Sequence, residues 1–308
     1  MLSRETSARP AKGMALNVAA LFVLMCMAAL VKAASEHVPT GQAVFARAFF
    51  SLPVILIWIA LQGPLMDGLR MARPRQHLLR GLLGTAALSL NFLALASLPL
   101  PEVTTIGFAA PLMTLVFAVL LLGEKVRLFR WSAVAIGFAG VMIVVWPNLS
   151  LGGNLDTVAR LGALAALGSA TCAALVKIVL RRMVATESTP AIVFWFAATA
   201  SALALLTLPF GWVMPPLHIT ALLVAAGVLG GIGQLMMTAS YRFADASALA
   251  PLWYVQLLFA SLIGYLFFGE LPTSATLMGA VLVILSGLLI LWRESKLARD
   301  TPPRQTPL

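Results

Sequence analysis

Arg47 carries a guanidinium about five residues inside a long apolar run, and Lys32 closes the preceding run with an ammonium. Two cations so placed suit a carboxylate or phosphate, because a guanidinium fork matches a planar oxyanion and an ammonium adds a point charge. Each also has a structural reading: Lys32 can snorkel to an interface, and Arg47 can tie helix-end carbonyls or Glu36. Asn91 and Gln234 each stand 13 residues into an apolar run. An amide in hydrocarbon is costly without partners, so both face inward, either to bind a solute or to bridge helices. Trp253 and Gln256, three apart, share a face continued by Ala260 and Gly264. An aromatic plate beside an amide can cradle a planar or zwitterionic solute, although Trp253 also fits an interfacial belt. Trp195 occupies the place in its own run that Arg47 holds in an earlier one and is a candidate solute contact of the same sort as Trp253.

The same inventory argues against other chemistries. The three histidines, His37, His77 and His218, fall at loops or run edges, and the two cysteines, Cys26 and Cys172, lie apart in mid-run. No catalytic residue, metal ligand or cofactor is therefore expected, and the cysteines read as packing residues. A membrane-embedded enzyme needs a cluster of His or carboxylates that is missing, and a lipid scramblase needs a polar groove facing lipid. Gly231-Ile232-Gly233 has no strand before it and is not a nucleotide motif. Glu102, Glu124, Asp245 and Glu270 all fall at run ends or loops. A carrier exchanging substrate for protons through a buried carboxylate would want one deeper.

The elements that must position these groups follow from hydropathy. Hydrophobic residues make up 61% of 308, charged residues 10%, and the mean hydropathy is +0.97. Ten apolar runs of bilayer-spanning length can be drawn, at 14–34, 42–62, 78–98, 104–122, 131–147, 161–180, 190–210, 221–241, 249–268 and 274–292. They lack the alternation of barrel strands and read as helices. With the N-terminus inside, 18 of the 21 Lys and Arg fall on inside segments, among them Arg73, Arg80 and Lys177, which puts both termini in the cytoplasm. The net charge of +10 is this bias spread over short segments, so no nucleic-acid partner is expected.

Ala-Ala-Leu-Val-Lys occurs at Ala28–Lys32 and Ala173–Lys177, and Gly-Glu at Gly123-Glu124 and Gly269-Glu270, an offset of 145 to 146 residues. The first run is thus read as a retained span, its counterpart lying mid-chain where no signal peptidase acts. Five runs per half is odd, so the halves are inverted, a pattern that places a solute site between them. The expected fold is an all-α membrane protein of ten transmembrane helices in two inverted five-helix repeats. Its parts are a tail at 1–13, repeats at 14–147 and 161–292, and a tail at 293–308. The glycines of the eighth run (Gly227, Gly230, Gly231, Gly233) and of the fifth (Gly137, Gly140) read as close helix contacts, and Gly-Glu as a helix stop whose carboxylate anchors a neighbour.

Each half also carries a Pro or Gln 13 or 14 residues before its Gly-Glu (Pro111 to Glu124, Gln256 to Glu270) and follows it with a Gly-rich last helix. With the ten runs, this resembles the ten-helix EamA-type carriers of the drug/metabolite transporter superfamily, over roughly residues 13–293. Arg80-Gly81-Leu82-Leu83, Leu98-Pro99-Leu100-Pro101, Thr104 to Leu122 and Arg130-Trp131 to Gly140-Val141 are similar to S-adenosylmethionine carriers and amino-acid exporters within it. The resemblance implies that spans 1, 3, 4, 6, 8 and 9 line a central cavity, with 5 and 10 supporting from the side. The chain is also similar in fold to four-helix multidrug antiporters but lacks their first-span glutamate, which tells against simple proton-for-cation exchange. The function expected is a secondary transporter of the bacterial inner membrane, moving a small amino acid or derivative outward by alternating access. Uptake of S-adenosylmethionine or a nucleotide-like solute is the alternative. The partners are the solute, the lipid bilayer and a proton or counter-solute, with the chain acting as monomer or homodimer.

Overall fold

The structure, a computed structural model, describes residues 10–123, 128–149, 157–183, 186–240, 243–244 and 249–300. Helices dominate, and no strand occurs among the described residues. In chain order they are α1 (Pro10–Ala34), α2 (Thr40–Phe49), α3 (Ser51–Ala60), α4 (Leu65–Leu69), α5 (Pro74–Ser97), α6 (Leu100–Gly107) and α7 (Ala109–Leu122). Then follow α8 (Leu128–Leu149), α9 (Thr157–Met183), α10 (Thr189–Leu205) and α11 (Leu217–Ser240). A 3-10 turn at Ala250–Tyr254 leads into α12 (Val255–Phe268), and α13 (Ser274–Asp300) ends the described chain.

Eight helical segments are long and apolar enough to cross a membrane, and Thr189–Leu205 and Ser274–Ile290 are shorter apolar helices. The chain is therefore a multi-pass membrane protein. Ile57, Leu120, Leu258, Phe267, Met278 and Val281 are all more than half exposed. In water such a surface would drive aggregation, whereas lipid tails solvate it.

Several apolar runs are not single helices. The second is α2 and α3, broken at Phe50 just before Pro53, which has no N–H to donate. The fourth begins earlier than expected, at Leu100, and breaks at Phe108, shortly before Pro111. Pro101 at the start of α6 costs nothing, since first-turn N–H groups have no intrahelical partner. The short α4 lies where the sequence suggested only a break.

The helices pair as α1 with α11, α5 with α9, α2 with α10 and α8 with α13, while α7 lies on α9 and α12 on α1. Exchanging the first half of the chain for the second maps these pairings onto themselves. Close approach is bought with glycine. A Cβ on Gly140 would stand 2.7 Å from the Gly279 carbonyl, so α8 and α13 cross almost backbone to backbone. A Cβ on Gly227 would meet Phe50 at 2.5 Å where α11 crosses the α2–α3 break. These contacts are the packing role read from the glycines of the fifth and eighth runs.

Candidate functional site

Arg47 sits in the last turn of α2, only 6% exposed. Its guanidinium carbon lies 5.8 Å from the centre of the Phe196 ring on α10. Gly230 on α11 leaves room for it, since a Cβ there would come to 3.1 Å from Arg47 Nε. No hydrogen-bond partner for that Nε is found, and no carboxylate pairs with Arg47 among the described residues. A buried, permanently charged group without a counter-ion is expensive to keep. Glu36, the acid that could have tied it, makes no such pair.

Lys32 is placed differently. At the end of α1 its Nζ pairs with Glu270 Oε1 at 2.8 Å and donates to the carbonyls of Leu98 at 2.6 Å and Leu95 at 3.2 Å. All three ammonium donors are thereby engaged. Glu270 also accepts from the Leu100 backbone N–H at 2.8 Å, joining α1, the α5–α6 break and the end of α12. Gly269 makes this possible: at φ 67° it ends α12 in the left-handed region, while the Glu270 N–H donates to the Gly264 carbonyl at 3.0 Å. The reading of Gly-Glu as a helix stop with an anchoring carboxylate describes this copy. Gly123 ends α7 at φ 68°, and Glu124 lies outside the described residues.

Glu102 stands in the first turn of α6, at a span end as expected, yet only 8% exposed. Its Oε2 accepts from Asn148 Nδ2 at 3.5 Å. Asp245 lies outside the described residues.

Asn91 on α5, Gln234 on α11 and Gln256 in the first turn of α12 are half-buried. None of the three side chains makes a hydrogen bond among the described residues, so none serves as a helix bridge there. Trp253 lies in the 3-10 turn, so the face it shares with Gln256 is carried across a change of helix type. Its ring packs against the cluster of Ala20, Leu21 and Met237, and Lys177 Nζ sits 5.2 Å from its centre. Trp195 points elsewhere. Its indole N–H donates to the Leu69 carbonyl at 2.8 Å, fastening α10 to α4. Cavities of about 470 Å³ beside Arg73–Gln76 and about 300 Å³ beside Met142, Ile143, Trp146 and Pro147 are peripheral, and none of these groups lines them.

Three polar residues escaped the sequence reading. Asn17 on α1, fully buried, donates from Nδ2 to Ser240 Oγ at 3.0 Å and to Met237 Sδ at 3.1 Å, tying α1 to α11. Glu187, before α10, accepts from the backbone N–H of Ala72 and Arg73 and lies 3.1 Å from His77 Nε2. Burial works to raise its pKa, but the nearby His77 and the backbone hydrogen bonds from Ala72 and Arg73 prevail and hold it below the usual carboxylate range. Arg80 on α5 was counted with the inside segments, yet its guanidinium carbon lies 4.3 Å from the centre of the same Phe196 ring that Arg47 approaches. A charge one and a half turns into α5, with Gly84 a further turn along, was the available signal.

The chain matches the EamA-like transporter family over residues 11–146 and 160–292. It is 30% identical over 255 residues to an S-adenosylmethionine uptake transporter of Rickettsia bellii, covering 83% of this chain and 84% of that one. Over 279 residues it is 30% identical to the pseudopaline exporter CntI of Pseudomonas aeruginosa, covering 89% and 94%. A riboflavin transporter of Rhizobium johnstonii is 27% identical over 264 residues, with 85% and 84% covered. A crystallised protein with 20% identity superposes at a TM-score of 0.65, covering 93% of this chain and 99% of the other.

Proposed function

We propose that this chain, which belongs to the EamA-like transporter family and is a membrane transporter of the drug/metabolite type, exports a small amino-acid-like metabolite by alternating access. Its halves, 14–147 and 161–292, act as inverted five-helix repeats, ten helices in all, around a central solute path. Both termini lie in the cytoplasm of a bacterium, with the chain in the inner membrane. The observation that carries the reading is Arg47, a buried guanidinium with no acid partner among the described residues. A carrier needs a charge that its solute, and not the protein, satisfies. Arg47 takes the carboxylate; Asn91, Gln234 and Gln256, whose amides make no hydrogen bond among the described residues, take the polar remainder; Trp253 meets the side chain. Lys32 and Glu270 hold one end of the path shut, so Lys32 assists the solute only when that tie opens. Trp195 serves the α4–α10 contact. The relatives include S-adenosylmethionine uptake transporters. That supports uptake of this or another nucleotide-like solute as a second reading, in which Arg47 meets an amino-acid carboxylate in the same way.

The test is counterflow exchange in proteoliposomes with a panel of amino acids and S-adenosylmethionine, with and without a proton gradient. An amino acid should exchange without a gradient, at a rate that varies little between roughly pH 6 and 8, where a membrane glutamate of raised pKa would titrate. Loss of exchange on acidification, cured by Glu102→Gln, would show a proton site at the start of α6. Exchange of S-adenosylmethionine alone would select the second reading.

A further inference from the structure

We propose that Arg47 and Arg80 together form one anion-binding site around Phe196, built for a solute with two oxyanion groups such as a dicarboxylate. The inference rests on the transport reading above and narrows its substrate. Helices α2, α5 and α10 each supply one member. The two guanidinium carbons lie 5.8 and 4.3 Å from one ring centre, which caps their separation at about 10 Å. A short dicarboxylate spans that gap with one carboxylate in each fork.

Both guanidiniums carry unmet demand. Nε of Arg47, and Nε and Nη1 of Arg80, are sealed from solvent with no hydrogen-bond partner among the described residues. The ion pairs among the described residues are Lys32 with Glu270 and His77 with Glu187, and neither guanidinium takes part. Cation–π attraction to Phe196 offsets part of the desolvation of each charge but nothing of their mutual repulsion. A monoanion would satisfy one fork and leave the other exposed to that repulsion.

Space is provided as well. A Cβ on Gly84, one turn along α5 from Arg80, would collide with Arg80 Nη1 and come to 2.7 Å from the Phe196 ring. A Cβ on Gly230 would crowd Arg47 Nε at 3.1 Å. Glycine at both positions keeps the guanidiniums beside the ring.

Glutamate and glutamine are nearly isosteric and differ by one negative charge, so they isolate the second oxyanion. In counterflow with the full-length protein, glutamate should compete at least about tenfold better than glutamine, the worth of one charge-assisted contact. Arg80→Gln should remove that preference, and Arg80→Lys should restore part of it. Equal competition by the two in wild type, or an Arg80→Gln protein that keeps the preference, would overturn the proposal. If wild type exchanges no amino acid, the transport reading fails on its own, and the site is read by binding. Succinate should then raise the melting temperature of the protein in lipid nanodiscs and fail to do so for Arg80→Gln. No rise in wild type would overturn the site. A rise that needs phosphatidylglycerol in the disc and no added dianion would assign the arginines to lipid headgroups, which also overturns it.

Discussion

Arg47→Ala should abolish exchange while leaving a folded protein that melts no lower than wild type. Removing a carboxylate's bidentate partner costs about 3 kcal/mol, roughly a hundredfold in apparent affinity. Its effect on stability should go the other way. Among the described residues no acid pairs with Arg47, so alanine deletes an uncompensated buried charge and relieves its desolvation. This pair of outcomes separates the roles cleanly, because a guanidinium that braced helices would lower the melting temperature when lost. Arg47→Lys should recover only part of the activity, since an ammonium keeps the charge and lacks the fork. Exchange at the wild-type rate by a folded Arg47→Ala protein would remove Arg47 from the solute site.

The tie between Lys32 and Glu270 should behave in the opposite manner. Lys32→Met leaves a carboxylate and Glu270→Gln an ammonium without its ion partner, in a place where the side chains are only 13% and 17% exposed. Each single change should cost about 3 kcal/mol, and the double variant clearly less than the sum, with a coupling of about 1–3 kcal/mol. Glu270→Gln also weakens the acceptor for the Leu100 N–H at the α5–α6 break, so it should be the more harmful single change in thermal melts. Strictly additive losses would mean that the pair is incidental to the closure of this end.

The sequence made the membrane helices legible because twenty apolar residues in a row have few other uses. The Gly-Glu stop was legible too, since only glycine takes the φ of 67° at residue 269 without strain. Breaks at Phe50 and Phe108 were hidden because the residues around them are as apolar as the helices, so hydropathy runs through unmarked. The partner of Lys32 was not legible at a separation of 238 positions, where one acid looks like another until the fold brings it near. Arg80 follows Arg73 and Arg75 and reads only as one more charge at the inside end of its span; that its head lies beside the Phe196 ring was not legible across 116 positions. Trp195 looked like a solute contact because nothing in 65–69 announced the short helix whose carbonyl it binds.

The claim on which the rest depends is that the two halves are inverted, and residues 73 and 218, one repeat offset apart, read it out. Both side chains are exposed. In a protein lacking Cys26 and Cys172, a cysteine at His218 should react with an impermeant thiol reagent in right-side-out vesicles while one at Arg73 stays silent. Inverted vesicles should exchange the two results. Reaction of both from the same side would contradict the inverted-repeat account.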